Sequence, residues 1–162
     1  MVRNLEELGP NLQKIQTRIM SNQNLLKLLY YTDKDPLSHE DLTAEQKKKE
    51  IFEKLVKIIP RVGPKETAQS IITMRVISGD ADLENDEFKI IRFNFEVFVP
   101  LTQWIIKDES LRPFCFLGEL QKTLKGKTID GMGRMMGGDF SLNFLTEEIS
   151  CYEMSFQIIQ YD

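Results

Sequence analysis

The hydrophobic pattern of this chain changes period near residue 65, from helical spacing to alternation interrupted by one later helical stretch, and that change limits the folds open to it. Before it, apolar residues recur at spacings of three, four and seven, the period of a helix with one buried face. After it they alternate, the period of a strand with one face on a core.

From Asn4 to about Thr32 the pattern predicts one long helix. Leu8, Leu12, Ile15, Ile19, Leu26 and Leu29 share a stripe, while Asn11, Gln13, Lys14, Gln16 and Arg18 fill the other side. Gly9-Pro10 suits an early turn. "TDKDP" ends the element, because a residue before proline avoids the α region. Thr43, with Gln46 three residues on, has the spacing of a capping box. A short second helix is expected from there to about Lys57, with Ile51, Phe52, Leu55 and Ile58 on one side and Pro60, Gly63 and Pro64 closing it.

In "QSIITMRVIS", Ile72, Met74 and Val76 alternate with Ile71, Thr73, Arg75 and Ile77. In "FKIIRFNFEVFV", Ile91, Phe93, Phe95, Val97 and Val99 form an apolar face, and Arg92, Asn94 and Glu96 belong to the wetter one. The polar stretch Ser78 to Glu87 joins the two as a long antiparallel hairpin. "DESLRPFCFLGELQKTLKG" reads as a helix, with Pro113 in its first turn, Phe116, Leu117, Leu120 and Leu124 buried, and Gly126 at its end. A short strand is expected between Met132 and Leu145, and "ISCYEMSFQIIQYD" alternates again. The pattern predicts an α+β fold: an antiparallel sheet of about four strands, a long N-terminal helix, a short second helix, and one helix inserted between strands. At 162 residues a single domain spanning 1–162 is expected. Residues 1–60 form its mainly helical part and 66–162 a strand-strand-helix-strand-strand core.

Composition narrows the functional classes. The net charge of −4 and a pI near 5.2 argue against a surface that coats nucleic acid. Two cysteines, Cys115 and Cys151, are too few for a disulfide scaffold and are expected to be reduced and packed. No apolar run reaches the ~20 residues of a membrane span, and the first residues lack a hydrophobic signal region. Cytoplasm-like conditions and no membrane contact are expected.

Three motifs raise the question of chemistry. "GKTIDGMGRMMGG", Gly126 to Gly138, carries the Gly-Lys-Thr of a phosphate-binding loop. That loop requires glycine where Gln121 stands, a strand before it and a helix after it, and the predicted order here is the reverse. A dinucleotide fingerprint begins at Gly131 and Gly133 but meets Met136 where the third glycine belongs. The acids Asp80, Asp82, Glu84, Asp86 and Glu87 resemble the start of a calcium loop, yet its glycine and glutamate positions hold Asn85 and Ile91. A solvated hairpin tip, a partner surface and a weak cation site remain as readings of this stretch. Trp104, in "PLTQWIIKDES", either folds back onto the core or anchors a protein interface. His39 is the single histidine and has no cysteine near it in sequence, a poor start for a zinc site. No catalytic, metal or cofactor set assembles from these residues, and a non-enzymatic binding or assembly role is expected.

The order of short motifs resembles the tail-terminator group, small neck and tail-completion proteins of tailed bacteriophages that infect Gram-positive bacteria. The matching pieces are "NLLKLLYYTDKDPL" (24–37), "KIIPRV" (57–62), two strands, "LRPFCFLGELQKTLKGKTIDGMG" (111–133) and a last strand ending "YEMSFQIIQYD". In that group a helix ending in a similar leucine-tyrosine pattern and an Asp-Pro leads through a proline step into the sheet. A helix opening on an Arg-Pro such as Arg112-Pro113 then precedes "G-x-x-I-x-G-x-G" and a final strand. The acidic hairpin and the "GGDF" stretch have no counterpart in that pattern. The resemblance implies a structural virion protein at the head-tail interface, assembled in the host cytoplasm. It implies a hexameric ring that caps the tail tube and contacts the tail tube protein and a head-completion or connector protein, with DNA passing through the lumen unbound. Asp80 to Glu87 and Trp104 are the candidate partner or lumen residues. The alternatives are another neck subunit, such as a head-completion protein, or a small adaptor that binds a protein partner.

Overall fold

Asn22 divides what reads in sequence as one helix. In the computed structural model, which describes residues 4–58, 68–84 and 87–159, α1 spans Leu8–Ile19 and α2 spans Gln23–Tyr30. The Asn22 side chain accepts from the Leu25 amide at 3.1 Å and so caps α2. Its amide group donates to Thr123 Oγ1 at 2.7 Å and to Glu119 at 3.0 Å, on a helix distant in sequence. The leucines of α2 then turn fully into the core: Leu25, Leu26, Leu28 and Leu29 are all buried.

The second predicted helix is also shorter than its pattern. Thr43 and Gln46 form the expected capping box, and α3 (Ala44–Gln46) runs on as π-helical backbone over Lys47–Ile51. It stops there rather than near Lys57. Glu53 adopts a positive φ of 60°, and the chain enters β1 (Val56–Lys57), which pairs in parallel with Ile72 and Thr73. Ile51 and Leu55 are buried as the stripe implies, but Phe52 faces outward. The proposed closure at Pro60, Gly63 and Pro64 lies outside the described residues.

The sheet continues with β2 (Ile71–Ala81) and β3 (Phe88–Pro100), the hairpin expected from alternation. Strand β4 (Thr128–Ile129) is short, β5 (Gly133–Leu145) is long, and β6 (Ile149–Ile159) ends the sheet. Their order is β1-β2-β3-β6-β5-β4. The expected antiparallel sheet of about four strands with a long N-terminal helix and one inserted helix is therefore corrected. Among the described residues the fold has four helices and a mixed six-stranded sheet curled into a half-barrel. Short segments with no pattern of their own, β1 and β4, join the sheet through backbone pairing that periodicity cannot signal.

One face of the sheet packs against the helices. Phe93, Phe95, Val97, Met154 and Phe156 are buried there beneath Phe116 and Leu120 of α4 (Arg112–Leu124). Arg112, at the first turn of α4, is fully buried. Its guanidinium donates to the carbonyls of Leu28 and Tyr31 (2.7 and 2.9 Å), Asp33 (2.7 Å) and Gln103 (2.9 Å). A cation thus meets the negative end of α2 and ties three segments together.

The opposite face, expected to be the wetter one, is closed to water over part of its length and open around Ile77 and Ser155. Thr73, Asn94 and Glu96 are buried. Glu96 is ion-paired with Arg75, and Asn94 donates to Glu153 at 2.9 Å. Cross-strand pairing on the curled sheet satisfies Asn94 and Glu96 away from bulk water, while the Thr73 hydroxyl and Arg75 Nε are buried without a hydrogen-bond partner among the described residues.

Candidate interaction surface

The acidic hairpin is less bare than its sequence. Asp80 sits beside Arg92 across the β2–β3 ladder, and the two form a bidentate pair with both contacts at 2.9 Å. The hydrogen bonds from Arg92 hold the Asp80 carboxyl below the usual range. Asp82 pairs with Lys89 at 3.0 Å and accepts the Glu84 amide at 3.0 Å, so it shapes the turn. Glu84 is exposed and Glu87 half-buried, while Asp86 lies outside the described residues. Over residues 80–92, five acids against two bases leave a charge of −3. The stretch is a braced hairpin end with a reduced acidic field. Among the described residues no group of three metal-ligating side chains gathers there or elsewhere.

Trp104 folds back onto the molecule. It is half-buried, its indole N–H donates to Ser150 Oγ at 3.0 Å, and its ring lies 6.3 Å from Tyr152. His39 stacks on Tyr31 at 3.9 Å and contacts Asp33 at 2.7 Å. Both cysteines are free thiols; burial, with Glu96 nearby, pushes Cys151 up to about 12, and burial also raises Cys115. A thiol held protonated in this way is a poor nucleophile.

The glycine stretch shapes a strand entry. After α4, Gly126 takes a φ of 73°, and its amide reaches the Met135 carbonyl at 2.7 Å. The chain passes through β4 into β5, so the helix precedes the Gly-Lys-Thr and strands follow it. Gly137 adopts a φ of 115°, and a Cβ there would meet the Ser155 carbonyl at 2.8 Å. The register shift between Gly137 and Asp139 marks a bulge, a device that redirects a strand.

What the bulge redirects is the part of the molecule that sequence reasoning missed. The outer side of β5 pairs with β4 only at Gly133 and Arg134. Gln121 of α4 takes the Gly138 carbonyl at 3.1 Å. From Asp139 to Leu145 the outer edge meets no strand among the described residues. This segment is also apolar on its surface: Phe140 is 55% exposed, Leu142 50% and Leu145 58%, with Phe144 similar. Phe140 packs at 6.2 Å from Phe114 of α4 and 6.4 Å from Tyr152, so the rings are held in place rather than loose. Unpaired N–H and C=O groups beside fixed aromatic rings make a surface suited to another strand. The sequence pattern predicts only a short strand between Met132 and Leu145; the strand's length and its position at the sheet edge depend on strand pairing, which side-chain period does not carry.

Among the described residues no helix is long and apolar enough to cross a membrane. The family model described as YomW matches residues 22–158, from the cap of α2 to the penultimate residue of β6. No curated protein matches the chain.

Proposed function

The chain belongs to the phage-derived YomW family, and we propose that it is a structural virion protein of the phage neck: a tail terminator that forms a hexameric ring, caps the tail tube and joins it to a head-completion or connector protein. The observation that carries this reading is the open β5 edge with its exposed Phe140, Leu142 and Phe144. An open apolar edge is a liability in a free monomer and an asset in an assembly. Ring closure requires two different patches on each copy, and the open β5 edge and the exposed Phe52 surface beside β1 are two such patches. The weak acidic field at Asp80 and Glu84 fits a lumen that DNA passes without adhering, since phosphate binding needs basic side chains.

The test is the composition of purified virions. Particles from the phage that encodes this chain are purified on a gradient and probed with an antibody to it, and the neck is imaged with bound antibody. Label at the head-proximal end of the tail is expected. Particles that are complete and infective yet lack the chain would refute the reading, and label elsewhere on the tail would move it to another subunit class.

A further inference from the structure

The two sides of the sheet differ in character, and we propose that one copy's β5 edge docks on the Phe52 surface beside β1 of the next copy, where the chain's own Phe52 and Glu53 already pair with Val56. The inference rests on the ring reading above and specifies which surfaces close the ring. On the β5 side, residues 139–148 carry three acids and no base. On the other side, residues 44–57 carry five lysines and three glutamates, of which Lys57 is buried and Lys49 pairs with Glu45. Lys48 and Lys54 are exposed there, and so is Phe52, at 42%. The β5 edge thus presents an apolar strand with Glu147 and Glu148 beside its end, and the other surface presents an exposed ring flanked by lysines. Opposite charges around an apolar centre favour head-to-tail pairing and disfavour pairing of either surface with itself.

The area is of the right order. At ~200 Å² for a large side chain, Phe114, Phe140, Leu142 and Leu145 expose on the order of 400 Å² together, about half of the ~800 Å² that each partner contributes to a standard interface, while Phe144 lies on the other face against Phe98. The strand backbone and the charged rim add to it. A second copy is favoured over an unrelated partner because the complementary surface is present on the same molecule.

Light scattering and sedimentation of the purified chain, from micromolar to about 1 mM, read the association directly. Wild type is expected to self-associate. Leu142→Asp, at a half-exposed position, should weaken association at least tenfold while circular dichroism is unchanged. Glu147→Lys with Glu148→Lys should weaken it several-fold, as should Lys48→Glu with Lys54→Glu. All four reversals in one chain should restore it, because each surface then meets its complement again. A wild type that remains monomeric at about 1 mM overturns the proposal. So does association that is indifferent to Leu142→Asp, or a four-fold variant no better than its two halves. The lysine and glutamate positions are exposed, so the charge swap decides the matter even if Leu142→Asp fails to fold. A chain that obeys the charge swap but is absent from virions leaves the edge pairing intact and refutes the neck role. A chain present in the neck that ignores the swap does the opposite.

Discussion

Arg112 is the residue on which most segments converge. Its four carbonyl partners come from α2, the turn after it and the loop before α4. Replacing it with methionine keeps the volume but leaves those carbonyls without their donor, at ~1–3 kcal/mol for each group that water cannot reach. Arg112→Met should destabilise the fold by ~3 kcal/mol or more, read from the urea midpoint. Arg112→Lys should recover little, because one ammonium cannot span the fork. Glu96 gives a pH signature instead. Burial, with Glu153 adding to it and Arg75 opposing it, raises its carboxyl above the ordinary 4.5. The native state therefore binds this proton more tightly than the unfolded chain does. Its contribution to stability is complete below pH 4.5 and is lost as pH rises through the native value. Glu96→Gln removes that dependence and leaves Arg75 uncompensated at every pH. Between about pH 4 and about pH 7, the stability of wild type relative to the variant should fall. A constant difference across that range would show that Glu96 titrates normally.

At the scale of elements, the break between α1 and α2 shows how a local cap and a distant contact cooperate. The stripe from Leu8 to Leu29 is continuous enough to suggest one helix, yet Asn22 prefers to cap, and Thr123 and Glu119 hold its amide. Asn22→Ala should destabilise the protein by ~1–2 kcal/mol in thermal or urea unfolding. If the variant instead gains stability, the cap is not what sets the break. The second helix departs from its pattern in a different way. Phe52, Leu55 and Ile58 follow a helical spacing, but Val56 and Lys57 gain parallel pairing with β2, and that tertiary demand prevails over a weak local preference. The strands at 71–81, 88–100 and 149–159 were legible because a long run of alternating side chains fits a half-buried strand and does not fit a helix.

For the molecule as a whole, the two ends of the sheet matter more than any single pocket. If Gly126 to Gly138 serve as strand entry and bulge, then Lys127, which is exposed, has no required partner in assembly. Lys127→Ala should leave the unfolding midpoint within ~0.5 kcal/mol of wild type and self-association unchanged. A thermal shift with nucleotides that Lys127→Ala abolishes would instead make this loop a ligand site. The acidic hairpin illustrates what composition cannot convey. Along the chain its five acids form one run, but the ladder places Arg92 and Lys89 opposite two of them. Charge read along a chain is not charge in space, because antiparallel pairing brings residues a dozen apart side by side.

The sequence alone determined which stretches alternate and which repeat at helical spacing, the cap at Thr43, and the failure of the Gly-Lys-Thr to meet the requirements of a phosphate loop. Those properties are local, set by side-chain period and by residues within a turn of one another. Tertiary structure decided the strand order, the recruitment of β1 and β4, the burial of Asn94 and Glu96, and the exposure of Phe140, Leu142 and Phe144 at an edge. These depend on backbone pairing between segments far apart in the chain. Backbone amides and carbonyls are the same in every residue but proline, so which strand remains unpaired is settled only when the sheet has closed on itself.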